Sequence, residues 1–293
     1  MHRILSLFSG LLLLAAVTAC QFNQQGDSAS HSADSLRIVS INGTVSEIIS
    51  ELGLADQIVG TDLASTFPES MKAKPKVGHN KKIPVEGVLT LRPNLIIGTR
   101  EDLSPETVEQ FRQTDVRLVL LDQEFTVEGT KKLIQSVADS LYLSERGDSI
   151  VHAFEKDMEA IADYQQAENK PKVLFVYARG AGTMMVGGSG TQADHVIELA
   201  GGTNVAQEFE QYRPLTAEAL VAYNPDVLLF FESGLSSLGD QEGLLEIQGV
   251  KETNAGKNKH IIAMDGQLLT GFSNRLPQAI EELHHKIIND SKK

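Results

Sequence analysis

His79-Asn80-Lys81-Lys82-Ile83-Pro84-Val85-Glu86-Gly87-Val88-Leu89-Thr90-Leu91-Arg92-Pro93-Asn94 runs into the apolar Leu95-Ile96-Ile97-Gly98. A second stretch, 132 positions on, reads Gln211-Tyr212-Arg213-Pro214-Leu215-Thr216-Ala217-Glu218-Ala219-Leu220-Val221-Ala222-Tyr223-Asn224-Pro225-Asp226 and runs into Val227-Leu228-Leu229-Phe230-Phe231. Glu86 matches Glu218 at that offset, and Pro93 matches Pro225. Each copy predicts a short helix, a turn at Pro-Asn or Pro-Asp, and a buried strand. A doubled unit of this kind predicts two related lobes with a cleft between them. The copies differ at their leading residues, where His79 with Lys81 faces Tyr212 with Arg213, and these are residue types that bind ligands.

The rest of the chain extends the pattern. Arg37-Ile38-Val39-Ser40-Ile41 reads as a first strand and Val45 to Leu52 as a helix, with Thr44 as its N-cap and Glu47 completing a capping box. Ile58-Val59-Gly60, Leu95-Ile96-Ile97 and Val116 to Leu121 follow as strands, and strands alternating with helices predict a parallel sheet. From Val127 to Glu168 apolar residues recur at helical spacing without a strand candidate, with Gly147 as a possible break. Lys172-Val173-Leu174-Phe175-Val176-Tyr177 then restarts the plan, followed by a glycine-rich loop, a helix from Asp194 to Leu199 and a stop at Gly201-Gly202. The expected architecture is α/β, with two pseudo-symmetric α/β lobes over 37–126 and 169–293. A single long helix over 127–168 joins them, and the ligand cleft lies between the lobes.

Composition narrows the function classes. A formal net charge of −13 supplies no basic stripe for phosphates, so no nucleic-acid partner is expected. The 41% hydrophobic content suffices for two cores. Residues 1–19 read as a targeting segment, with Arg3 ahead of an apolar stretch from Ile4 to Val17 that is short for a membrane span. It ends Val17-Thr18-Ala19-Cys20, which resembles a bacterial lipoprotein cleavage site and implies lipidation of Cys20, the only cysteine. The alternative is an ordinary signal cleavage that leaves a free thiol. Residues 20–36 read as a flexible tether. An exported protein, anchored in the cell envelope through Cys20, is therefore expected.

From about Arg37 onward the chain resembles the periplasmic binding proteins of ABC importers for vitamin B12, ferric siderophores and haem. The residues that carry the resemblance to the haem-binding members are Gly78-His79-Asn80-Lys81 with Val85-Glu86-Gly87, Tyr212-Arg213-Pro214-Leu215, and Gly271-Phe272-Ser273-Asn274-Arg275. Tyr177-Ala178-Arg179-Gly180 and Met184-Met185-Val186-Gly187-Gly188 add to it. The resemblance implies a monomer, without catalysis, that captures haem and delivers it to an inner-membrane ABC permease dimer. It implies that Glu86 and Glu218, one per lobe, pair with arginines on the two permease subunits. Helix-dipole stabilisation is the structural alternative for both. The chain departs from the pattern at position 79, where histidine replaces the expected tyrosine.

Imidazole ligates haem iron well, so His79 is the expected axial ligand, and as a softer donor than phenolate it favours ferrous haem. Lys81 and Arg213, again 132 positions apart, are expected to meet the two propionates, with Arg179 and Arg275 as further candidates. Tyr177 or Tyr212 is expected at the second iron face or stacked on the porphyrin. A ferric siderophore or corrinoid is the rival ligand, although five tyrosines and no tryptophan argue against an aromatic-walled siderophore pocket. Two more distant readings are a serine hydrolase using Ser189, Asp265 and His285, and a zinc site at Glu281, His284 and His285.

Overall fold

The computed structural model describes residues 36–79, 81–166 and 169–289, so the targeting segment, Cys20 and nearly all of the tether lie outside the described residues. In the first lobe β1 (Ile38–Ser40), β2 (Ile58–Thr61), β3 (Leu95–Thr99) and β4 (Arg117–Leu121) form a parallel sheet in the order β2-β1-β3-β4. Helices α1 (Gly43–Glu51), α2 (Val85–Leu89) and α3 (Pro105–Arg112) fall between them in the chain. Ile38, Val39 and Leu95 to Ile97 are buried, the continuous apolar reading that a covered parallel sheet demands.

The join between the lobes departs from a single helix over 127–168. It is a hairpin of α4 (Val127–Ser140) and α5 (Ser144–Ala160), which pack on each other and are followed by a 3-10 turn at Ala162–Gln166. The break falls at Leu141 to Leu143, where Tyr142 takes a φ of 59°, and not at Gly147. Gly147 lies inside α5 at the helix contact, where a Cβ would stand 2.5 Å from the Ala138 Cβ. Its role is close approach of two helices.

The second lobe contains β5 (Lys172–Ala178), β6 (Met184–Gly187), α6 (Gln192–Leu199), β7 (Thr203–Asn204), β8 (Tyr212–Pro214), α7 (Ala217–Tyr223) and β9 (Val227–Phe231). It continues with α8 (Glu232–Ser236), α9 (Asp240–Leu245), α10 (Asn254–Asn258), β10 (Ile261–Met264), α11 (Gly266–Thr270) and α12 (Leu276–Asn289). The parallel pairings β7-β5-β9-β10 retrace β2-β1-β3-β4 of the first lobe, while β6 is added antiparallel to β5 and β8 antiparallel to β6. The doubling is therefore structural as well as sequential. Just before the matched prolines, Arg92 and Asn224 both adopt left-handed backbone, with φ of 48° and 42°.

Polar contacts close the seam between the lobes. The N-cap of α1 is Asn42, whose side chain accepts from the Val45 amide, and not Thr44. Thr44 Oγ1 donates instead to the Gly271 carbonyl at 2.5 Å. Glu47 forms no capping box; it is 2% exposed and takes Arg275 Nη2 at 2.7 Å, Arg275 Nε at 2.9 Å and the Ser273 hydroxyl at 2.5 Å. Gln267 Nε2 donates to the same carboxylate and, at 3.0 Å, to the Gly43 carbonyl. One apolar core runs across the seam, from Ile38 and Val45 through Leu133 and Phe154 to Phe175 and Leu283.

Candidate functional site

The loops beyond the carboxyl ends of the parallel strands line the space between the lobes, where open α/β sheets bind ligands. In the first lobe the chain leaves β2 as Asp62-Leu63-Ala64-Ser65. The Asp62 amide donates to Ser40 O at 3.1 Å and the Leu63 amide to Gly78 O at 2.9 Å. Gly78 has a φ of +124°, and a Cβ there would stand 2.3 Å from the Lys82 carbonyl oxygen, so this turn needs glycine. His79 follows, with Lys82 N donating to its carbonyl at 3.1 Å. Its backbone is thus pinned on both sides, while its side chain remains 47% exposed.

In the second lobe β5 ends in Tyr177-Ala178, and Arg179 opens a tight hairpin closed by its own amide on Thr183 O at 2.9 Å. His79, Leu63 and Ala64 from one lobe, and Tyr177, Arg179 and Phe231 from the other, line a cavity of about 610 Å³. A second cavity of about 420 Å³, with Tyr212, Met185 and Thr270 in its wall, shares Tyr177 and Phe231 with the first. The two cavities adjoin at Tyr177 and Phe231, and the first alone has the volume of an ordinary ligand pocket.

Its walls are aromatic and basic. Tyr177 meets Phe231 edge-on at 6.0 Å and Tyr212 at 6.5 Å between ring centroids. The Arg179 guanidinium carbon stands 5.6 Å from the Tyr177 ring centroid, and among the described residues no carboxylate pairs with it. Burial first, and then the neighbouring Tyr177, push the Tyr212 hydroxyl up to about 12.

The structure brings together His79, Tyr177, Arg179 and Tyr212 among the residues singled out by sequence. Arg275 is corrected. Its guanidinium is 13% exposed, is spent on Glu47 and covers the Phe67 ring at 3.5 Å, so it holds the seam and has no free face for a ligand. Lys81 Nζ lies 3.9 Å from a Glu101 carboxylate oxygen, and Arg213 stacks over Phe209 at 4.5 Å. Both stand outside the walls of the two cavities. Glu86 and Glu218 are exposed in the first turns of α2 and α7. The backbone N–H of Glu218 itself, and then the Thr216 hydroxyl, hold the Glu218 carboxyl below the usual carboxylate range.

The distant readings do not assemble. Ser189 Oγ donates to the Phe209 carbonyl at 3.0 Å, Asp265 caps α11 and His285 sits beside Glu281 on α12. His284 Nδ1 contacts the Ala200 carbonyl at 2.9 Å while its ring stacks on Tyr164. Among the described residues no group of three potential ligands forms a metal site.

Sequence reading missed Asp62. It is 3% exposed, accepts from the amides of Ala64 and Ser65 at 3.0 Å each, and lies 3.4 Å from His79 Nδ1. Its only local signal is an acidic residue at a strand's carboxyl end, three positions before a serine. Lys76 braces the same loop through Nζ bonds to Thr61 Oγ1, Ser65 O and Met71 O at 2.9, 2.7 and 3.1 Å. Burial lowers the Lys76 pKa, against the pull of Asp62.

Comparison with known proteins places this geometry in context. The periplasmic binding protein family profile matches residues 38–268. The periplasmic haem-binding protein RhuT of Roseiflexus sp. RS-1 is 36% identical, with a TM-score of 0.84 over 88% of this chain and 99% of that one. An uncharacterised ABC transporter substrate-binding lipoprotein of Bacillus subtilis (strain 168), YvrC, is 23% identical over 87% of this chain and 81% of its own length. A vitamin B12-binding protein of Vibrio cholerae is 23% identical over 84% of this chain and 87% of its own.

Proposed function

Because this chain belongs to the periplasmic binding protein family, and so is a non-enzymatic substrate-binding component of an ABC transporter, we propose that its cargo is haem, held between the lobes and handed to the permease. The observation that carries the reading is that His79 from one lobe and Tyr177 from the other wall the same cavity of about 610 Å³. An imidazole and a phenol approaching from opposite lobes suit the two axial faces of an iron porphyrin. The identity to RhuT supports the same ligand.

His79 ligates through neutral imidazole nitrogen. Tyr177 takes the opposite face, and the Arg179 guanidinium meets a propionate. Tyr212, whose hydroxyl stays protonated to about 12, serves as a porphyrin wall. Lys81 and Arg213, both exposed, meet propionates that project from the cleft. Glu86 and Glu218 dock the two lobes on a two-fold permease. The protein works as a monomer held to the membrane by lipid on Cys20.

The test is a haemin titration of the chain from Gln21 onward, which retains the compact unit Leu36–Lys293. Wild type, His79→Ala and Tyr177→Phe are compared by Soret absorbance. A saturable, shifted band in wild type that weakens or moves in both variants is expected. A wild-type spectrum identical to free haemin, with saturable binding of cyanocobalamin, would replace haem by a corrinoid.

A further inference from the structure

We propose that Asp62 is the positioning residue for the iron ligand: it fixes the His79 tautomer that presents Nε2 to haem, and it strengthens that nitrogen as a donor to ferric iron. This rests on the haem reading above.

Asp62 Oδ1 accepts from the Ser65 amide at 3.0 Å and the Ser65 hydroxyl at 2.5 Å, and Oδ2 accepts from the Ala64 amide at 3.0 Å. Every one of these partners is a donor, so they hold an acceptor-only carboxylate in place. The remaining approach to Oδ2 is His79 Nδ1 at 3.4 Å. That separation is long for a hydrogen bond, and a small rotation of the half-exposed imidazole closes it. Against an acceptor, Nδ1 must carry the hydrogen, which leaves the Nε2 lone pair free.

Asparagine at this position would satisfy the Ser65 donors with its single carbonyl, but its amide nitrogen would face the Ala64 N–H as well as the imidazole. What asparagine cannot do is accept from Nδ1 with its amide nitrogen. It donates there instead and selects the opposite tautomer, with Nε2 protonated and unable to bind metal. A carboxylate behind a ligating imidazole also raises its basicity, and loss of such a partner typically costs about 10–100-fold in metal affinity.

The experiment compares wild type, Asp62→Asn, His79→Tyr and the double variant, with haemin as the probe and thermal unfolding as the folding control. Haemin affinity and the haem midpoint potential are read for each. Asp62→Asn should weaken haemin binding by about 10–100-fold and raise the midpoint potential. In the His79→Tyr background the same change should move neither, because a phenolate oxygen has no second ring N–H to orient. Ser65→Ala, which removes one of the two donors to Oδ1 but keeps the carboxylate and its Oδ2 toward the imidazole, should shift the potential less than Asp62→Asn.

An unaltered Asp62→Asn protein would overturn the proposal while the haem reading stands. Equal losses in both backgrounds, or a Ser65→Ala shift matching that of Asp62→Asn, would reduce Asp62 to a loop residue. Absence of any haemin band in wild type takes down the haem reading and this proposal together.

Discussion

Arg275 shows how one side chain's partners decide its role. Read along the sequence it is a cation near the end of a ligand-binding chain; in the fold it is the bidentate partner of Glu47, a carboxylate 1% exposed. Removing one member of a buried pair leaves the other charged and without its partner, which costs about 3–5 kcal/mol. Arg275→Ala should therefore lower unfolding stability by that order in a denaturant titration. Arg275→Lys should recover only part of it, because an ammonium cannot make the paired Nε and Nη2 bonds. In folded protein the haemin spectrum should keep its wild-type position. A shifted Soret band in Arg275→Ala would return this residue to the cleft.

At the level of elements, strands were legible because buried parallel strands carry uninterrupted apolar runs, as in β3 and β9. Helix starts were less so. Thr44 and Glu47 have the spacing of a capping box, yet Asn42 caps α1 because the other two are drawn to Gly271 and Arg275 across the seam. Gly147 misled in a similar way. A glycine inside a helical pattern reads as a break, but here it admits the Ala138 methyl of the facing helix. The sign of a substitution follows. Helix propensity alone favours alanine over glycine by about 1 kcal/mol. A methyl placed 2.5 Å from the Ala138 Cβ overpacks the hairpin, and Gly147→Ala should destabilise by about 1–3 kcal/mol. A raised melting temperature in that variant would show that the two helices separate freely.

For the whole molecule, the two lobes are repeats of one strand order, and the seam that joins them is polar as well as apolar. Glu47, Gln267, Ser273 and Arg275 bridge α1 to the segment around α11 and α12. A seam of that kind resists wide opening, so capture should involve small lobe movements. The repeat also places one exposed glutamate on each lobe, in the first turns of α2 and α7. Glu86→Lys with Glu218→Lys should leave haemin affinity unchanged and weaken docking to the reconstituted permease by about 2–5 kcal/mol. Unimpaired uptake by the double variant would remove these residues from the docking surface.

The sequence by itself determined the two-lobed plan. Apolar runs, proline turns and the 132-residue offset are local signals, and they survive without knowledge of what packs on what. It also marked His79, Tyr177, Arg179 and Tyr212 as ligand chemistry. Only the tertiary structure decided which polar groups face the cleft and which face each other. Arg275 meets a carboxylate 228 positions away, and Asp62 lies behind an imidazole 17 positions on. Arg275 and Glu47 come from the α12 start and from α1, and Asp62 and His79 from the two ends of the β2–α2 connection; no periodicity in the chain encodes those approaches.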